Sequence, residues 1–170
     1  MMTRTDICAL FGWTVDAFKG MQRHVQLPLE ASGNGWTRFT ARDAVKIAMT
    51  EDLAGIGVSR VAAARFVRAA SEAMQNRWAE VVATGRGLFN GLSQDEFHAG
   101  CIILAFPSDG KLVHGGSCDF GVCFRLNEVD AVCASLPRPA ARIVTTSASR
   151  SVAVVMRKAV KAGLELDWES

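Results

Sequence analysis

Histidine and cysteine side chains in the C-terminal half have the types of ligand that zinc accepts. The candidates are His98, Cys101, His114, Cys118 and Cys123. Two residues separate the first pair and three the second, and a hairpin could bring the two pairs together around a metal ion. Cys101, however, lies in an apolar run, where a free cysteine behaves as a small hydrophobic side chain. We therefore predict core and turn residues here, with no bound metal and no cofactor.

The same residues provide one arrangement for nucleophilic catalysis, in which His114 would activate Cys118. A cysteine nucleophile needs a base that a third group orients, and no motif in this sequence places such a group. The run Gly115-Gly116-Ser117 is too short to form a phosphate-binding loop. The sequence therefore predicts a protein that is not an enzyme.

Basic residues are concentrated in the N-terminal half. Before residue 90 the chain has eleven basic and eight acidic residues, and after it eight and nine. The formal net charge of +2 is too small to indicate a nucleic-acid partner by itself. A DNA-binding surface must therefore be sought in the pattern of the N-terminal residues.

The N-terminal pattern predicts two short helices joined by a tight turn. The first helix covers residues 5–11 and ends at Gly12. Thr14 is a favourable N-cap for a second helix, which begins at Val15 and reaches about His24.

Helical spacing divides the second helix into two faces. The residues predicted to face the core are Val15, Phe18 and Met21. Those left on the outer face are Asp16, Lys19 and Arg23. Such a face can enter the major groove of DNA, where Gln22 at its edge is a candidate base reader. The alternative is an ordinary solvated helix face.

A β-hairpin is predicted after the second helix. Segments 26–30 and 36–39 flank a turn-rich stretch that contains Asn34-Gly35, a strong hairpin signal. A basic hairpin of this kind can reach the DNA backbone or the minor groove.

Two longer helices follow. Thr40, with Asp43 three residues later, caps a third helix that ends at Gly57. Ser59 caps a fourth helix, which the apolar spacing extends to Thr84, about 37 Å at 1.5 Å per residue. A small domain cannot cover a helix of this length, so we expect a second domain or a second subunit on it. This is the reason for expecting a homodimer.

The glycine-rich residues 85–91 separate the alanine-rich helices from a β-rich sequence, and they divide the chain into predicted domains 1–84 and 91–170. The second domain is expected to serve dimerisation or to receive a small-molecule effector or a protein partner. Its predicted elements are strands at 98–107, 111–114, 122–126 and 141–145, and helices at 127–134 and 149–163. The fold class expected for the whole chain is α+β.

Residues 5 to about 70 resemble the DNA-binding domain of the MerR family of bacterial regulators. The segments that carry the resemblance are Ile7 to Phe18 with Gly12 at the turn, Asn34 to Thr40, Asp43, and Gly57-Val58-Ser59. The chain has Lys19-Gly20-Met21 where the family usually has arginine and two tyrosines, and Arg60 where it usually has an apolar residue. The resemblance implies a winged helix-turn-helix, with the small α+β domain after its long fourth helix.

The expected DNA contacts combine the second helix, the returning hairpin strand and the start of the third helix. They are Thr14, Asp16, Lys19, Gln22, Arg23, His24, Thr37, Arg38 and Arg42. The resemblance matches Lys19 and Arg38 to family arginines and implies that both contact phosphates. We expect a sequence-specific, double-stranded DNA-binding regulator of transcription that acts as a homodimer. Phage excisionases and some packaging subunits share the winged domain, so an architectural role in excising or packaging phage or mobile-element DNA is the alternative.

Signals for membrane insertion or export are not found in the sequence. No apolar run approaches the roughly 20 residues that span a bilayer, and residues 1–4 lack the apolar segment of a secretory signal. Five cysteines, an odd number, do not predict a disulfide framework. We therefore expect a cytoplasmic protein with reduced thiols and no membrane partner.

Overall fold

The computed structural model describes residues 1–29, 38–91, 103–107, 121–123, 128–134 and 143–169, and this part of the chain is mostly helical. The N-terminal helices are α1 (Arg4–Phe11), α2 (Val15–Arg23), α3 (Ala41–Gly55), α4 (Arg60–Ala69), α5 (Ser71–Asn76) and α6 (Trp78–Phe89). The later elements are β1 (Ile103–Pro107), β2 (Gly121–Cys123), α7 (Val129–Ala134), β3 (Ile143–Ser147) and α8 (Ala148–Ala162).

Local capping signals explain where several helices begin. The Thr14 side chain accepts a hydrogen bond at the start of α2, and the Ser59 side chain does the same for α4. Thr40 and Asp43 form a complete capping box at the start of α3. Each bond satisfies a backbone N–H that has no partner inside its helix.

The long fourth helix predicted from Ser59 to Thr84 is wrong, because the chain forms three helices there. The helices are interrupted at Ala70 (φ −83°, ψ −2°) and at Arg77 (φ −117°, ψ 19°). Ala70, Met74 and Trp78 nevertheless belong to one buried core. These positions of the predicted stripe are therefore buried even though the helix is interrupted.

Gly85, which the sequence pattern interprets as a domain boundary, lies buried inside α6. A Cβ at this position would stand 2.5 Å from the Val152 side chain and 2.8 Å from the Ser149 carbonyl oxygen. The glycine therefore permits close approach of α6 and α8, which make the most extensive contact between two described elements. Its role is helix packing rather than chain punctuation.

The hydrophobic core does not follow the predicted boundary between 1–84 and 91–170. Val152, Val155 and Ala159 of α8 belong to the same buried cluster as Phe18 and Leu53. Helix α8 packs on α6, and α3 packs on α4, so helices of the same chain cover much of the apolar stripe that suggested a second subunit. The homodimer stays a prediction, but an uncovered apolar helix no longer supports it.

The three described strands form an antiparallel sheet in the order β2-β1-β3. Leu104 pairs with Val122 on one side and with Thr146 on the other. The Thr146 hydroxyl donates a hydrogen bond to the Asp52 carboxylate at 2.8 Å, which joins β3 to α3. No helix within the described ranges is both long and apolar enough to cross a membrane.

Candidate nucleic-acid interface

A row of aromatic rings fixes the turn between α1 and α2. Gly12 ends α1 in the left-handed region (φ 69°), and the Phe11 and Trp13 rings on either side stack at 5.0 Å between centroids. Trp13 lies 6.4 Å from Phe18, which meets the edge of Phe39 at 5.7 Å. The start of α2 is therefore held at a defined position against the core.

Fewer residues of α2 face the core than the sequence predicts. Phe18 and Met21 are buried, as the spacing indicates, but Val15 is 39% exposed because it lies in the first turn at the edge of the core. The Arg60 guanidinium covers Met21, with Nη1 3.2 Å from the sulfur, and Nη2 donates to the Glu51 carboxylate at 2.9 Å. An arginine thus occupies a position where an apolar residue is usual in the family that the sequence resembles.

The outer face of α2 is charged and open to solvent. Asp16, Lys19, Arg23 and His24 are all exposed, and Gln22 is half-buried at the edge of this face. The Lys19 ammonium lies 3.8 Å from the Asp16 carboxylate, with 51% and 95% of the two side chains exposed. Solvent screens a pair of this kind, so Lys19 can exchange Asp16 for another anion at little cost.

Thr14 has a structural task at this surface. Its hydroxyl accepts a hydrogen bond from the Ala17 N–H at 3.1 Å, which satisfies the first turn of α2. The side chain is exposed, and its hydroxyl proton can still be donated to a ligand.

Arg38 is exposed beside the first turn of α3. The next residue, Phe39, is buried and exchanges two backbone hydrogen bonds with Met2, at 2.7 and 2.8 Å. Residues 30–37, which include Thr37 and the whole predicted hairpin turn, lie outside the described residues. Residues 26–29 do not form the predicted strand, and Arg68 donates to the Leu27 carbonyl oxygen at 3.1 Å.

Arg42 differs from the exposed cations of α2 because its guanidinium stacks on an aromatic ring. Its guanidinium carbon stands 5.1 Å over the Trp78 ring, which stacks on Trp168 at 6.4 Å. The Trp78 indole N–H donates to the Trp168 carbonyl oxygen at 3.0 Å. Arg42 is half-buried in this cation–π arrangement. The sequence gives no signal for it, because the two tryptophans are far apart in the chain and only the fold brings them together.

Behind α2, Glu51 is a half-buried carboxyl that sequence reasoning did not single out. Burial raises the pKa of Glu51 above its ordinary value, although Arg60 and Lys158 both act in the opposite direction. Its Oε1 atom is buried and has no hydrogen-bond partner among the described residues. The carboxylate therefore stays charged at neutral pH only at a cost in desolvation.

Helix α2 ends in strained backbone at Val25. The Val25 N–H bonds to the Gln22 carbonyl oxygen and the Gln26 N–H to that of Met21, at 3.1 and 2.9 Å, which is the Schellman pattern. This pattern puts Val25 in the left-handed region with φ 56°, a conformation that a β-branched side chain disfavours. At the equivalent position, α8 has Gly163.

The histidine and cysteine cluster of the C-terminal half is not tested. His98, Cys101, His114 and Cys118 lie outside the described residues, and only the backbone of Cys123 is described. Among the described side chains, no three or more histidines, cysteines, aspartates or glutamates form a group that could hold a metal ion.

Comparison of the chain with protein-family models, with curated proteins and with solved structures finds no match to any of them. The candidate surface must therefore be judged on its own geometry and charge.

Proposed function

We propose that this chain binds double-stranded DNA through the outer face of α2 and regulates transcription. The observation that supports this most is the contrast between the two faces of α2. Phe18 and Met21 fix the helix to the core, and Lys19, Arg23 and His24 stand exposed on the opposite side. A short helix held in this way, after a tight turn, has the form of a recognition helix.

The chemistry of the face suits both parts of DNA recognition. In this proposal, Lys19 and Arg23 neutralise phosphates, which fixes the position of the protein without reading sequence. Gln22 at the edge of the face has an amide that can bond an adenine. The exposed Asp16 carboxylate repels phosphates but can accept a hydrogen bond from a cytosine amino group.

The exposed Arg38 extends the same proposal to a wing. In a winged helix-turn-helix, the strand that carries Arg38 would reach the backbone beside the groove that α2 enters. Phe39 is fixed by its bonds to Met2, so Arg38 starts from an ordered point of the chain. The winged fold, a smaller α+β part beyond residue 91 and a dimer on two half-sites belong to this proposal.

Duplex binding is tested by titrating a labelled random-sequence duplex with the full chain at low salt. Non-specific affinity that falls steeply with salt is expected, because phosphate contacts release counterions. No binding at about 50 mM salt, where electrostatic binding is favoured, would contradict the proposal.

Regulation of transcription is tested by mapping the sites that the full chain occupies on its own genome. Occupied sites that cluster at promoters are expected. Occupancy confined to attachment or packaging sites would replace regulation by the architectural role.

A further inference from the structure

A basic groove lies between the end of α1 and the second half of α8. Its volume is about 460 Å³, and its floor includes Phe11 and Val154. Three cations line it, Arg157, Lys158 and Lys161, and none of the described residues that line it carries a carboxylate. The groove therefore has a positive rim on an apolar floor, which suits an anionic partner.

The three cations differ in how strongly the protein holds them. The Lys158 ammonium lies 5.3 Å from the centre of the Phe11 ring, and its charge opposes the rise in the pKa of Glu51 that burial causes. Arg157 and Lys161 are exposed, and the Arg157 guanidinium makes a long 3.4 Å bond to the Leu88 carbonyl oxygen. Arg157 and Lys161 are thus available to a ligand, whereas Lys158 stabilises the groove.

The groove adjoins the turn that leads into α2, since Phe11 and Gly12 both line it. Phe11, under Lys158, stacks at 5.0 Å on Trp13, and Thr14 immediately after it caps α2. One ring contact therefore joins the groove to the residue before the N-cap of the recognition helix. The major groove of DNA is about 12 Å wide. A helix inside it therefore has a phosphate backbone on each side within roughly that distance, where neighbouring parts of the protein can contact it.

We propose that the groove is a second phosphate-contact surface, in which Arg157 and Lys161 bind the DNA backbone beside the major groove that α2 enters. This inference rests on the proposed function of α2. The expected ligand is duplex DNA, because the groove adjoins the turn that leads into α2. It also gives α8 a part in binding, although α8 lies far from α2 in sequence.

The test measures duplex affinity at several salt concentrations for the full chain and for the double variant Arg157→Gln/Lys161→Gln. The slope of log K against log salt should decrease in magnitude by about 0.9 for each phosphate that the variant no longer neutralises. The matched control is Arg65→Gln/Arg150→Gln, which removes two exposed cations from α4 and from the opposite end of α8. The control should leave the slope close to that of the unaltered chain.

A second variant separates binding from stability, because Lys161 in the last turn of α8 also offsets the helix dipole. Arg157→Lys/Lys161→Arg keeps both charges and should keep the slope, and thermal unfolding of each variant checks that it is folded. If the glutamine variant is less stable but binds with an unchanged slope, the cations only stabilise helix ends and the inference is wrong.

Three further outcomes separate this inference from the proposed function. If the full chain binds duplex DNA and Lys19→Gln reduces the slope while the α8 variant does not, only the inference fails. If the full chain does not bind duplex DNA at all, both fail. A stabilisation by inorganic phosphate that is absent from the α8 variant, without any change in DNA binding, would identify a small-anion site and also overturn the inference.

Discussion

The contact between α6 and α8 and the outer face of α2 represent two different uses of a helix. At the contact between α6 and α8 the helices lie so close together that a methyl group at position 85 would have no room. The Val152 side chain fills the space beside Gly85. At α2 only Phe18 and Met21 reach the core, the outer side chains are exposed, and Val25 ends the helix in strained backbone. Changes at the first region should therefore alter stability, and changes at the second should alter binding.

The substitution Gly85→Ala is expected to have the largest effect on the free energy of unfolding. The added methyl would meet Val152 at 2.5 Å and the Ser149 carbonyl oxygen at 2.8 Å, so α6 and α8 must separate. Overpacking of this kind costs about 1–3 kcal/mol, which urea unfolding measures.

The matched control is Gly20→Ala in α2, where an added Cβ would meet no described atom within 4 Å. It should stabilise the protein by about 0.5–1 kcal/mol, because alanine favours a helix interior over glycine. A loss of stability in both variants would contradict the comparison between the two regions.

The next effect concerns the strained end of α2. Val25→Gly should relieve the left-handed backbone, which costs a non-glycine residue about 1–2 kcal/mol, although glycine also gains entropy in the unfolded chain. We expect a net increase of up to about 1 kcal/mol in the free energy of unfolding. The reverse change, Gly163→Val at the end of α8, should lower it by a similar or larger amount. Destabilisation by Val25→Gly would show that the Val25 side chain contributes more than its backbone costs.

The extent to which the sequence predicts this fold depends on the range of the interactions. Thr14, Thr40 and Gly163 act on their own helices within a few residues, and the sequence predicts their roles because such signals are local. The helix interruptions at Ala70 and Arg77 carry no glycine or proline, so no local signal in the sequence predicts them.

The candidate site likewise has features that the sequence predicts and features that depend on contacts between distant residues. Helical spacing predicts the exposed positions of Lys19 and Arg23, because the buried positions Phe18 and Met21 determine the opposite face. It does not predict the position of Arg42, which lies on a tryptophan from another helix. Nor does it predict the basic groove, whose two sides are far apart in the chain.

The smallest effect is the pH dependence introduced by Glu51. Because its pKa is raised in the folded state, folded protein binds a proton between the unfolded and folded pKa values that unfolded protein does not. This group therefore contributes more stability as pH falls through its folded pKa, and it costs stability at neutral pH. Glu51→Gln removes the charge and should raise the melting temperature slightly at pH 7.

The advantage of Glu51→Gln should disappear as pH falls to about 4, below the ordinary glutamate pKa of about 4.3. Thermal unfolding of both proteins from pH 7 to pH 4 measures this difference, since the other titrating groups are common to both. A variant that is less stable than the unaltered chain at pH 7 would indicate that the Arg60 ion pair outweighs the burial of Glu51.

The central claim is that the outer face of α2 contacts DNA, and the salt dependence of binding by Lys19→Ala tests it most directly. Lys19 is exposed and its only described ion pair is the solvated one with Asp16, so alanine should leave folding unchanged. We predict weaker binding to specific and random duplexes alike, with a slope of log K against log salt reduced by about 0.9. Arg65→Ala, which removes an exposed cation of α4, should leave affinity and slope unchanged. If Lys19→Ala and Arg65→Ala bind with the same affinity and slope as the unaltered chain, the face of α2 does not contact DNA.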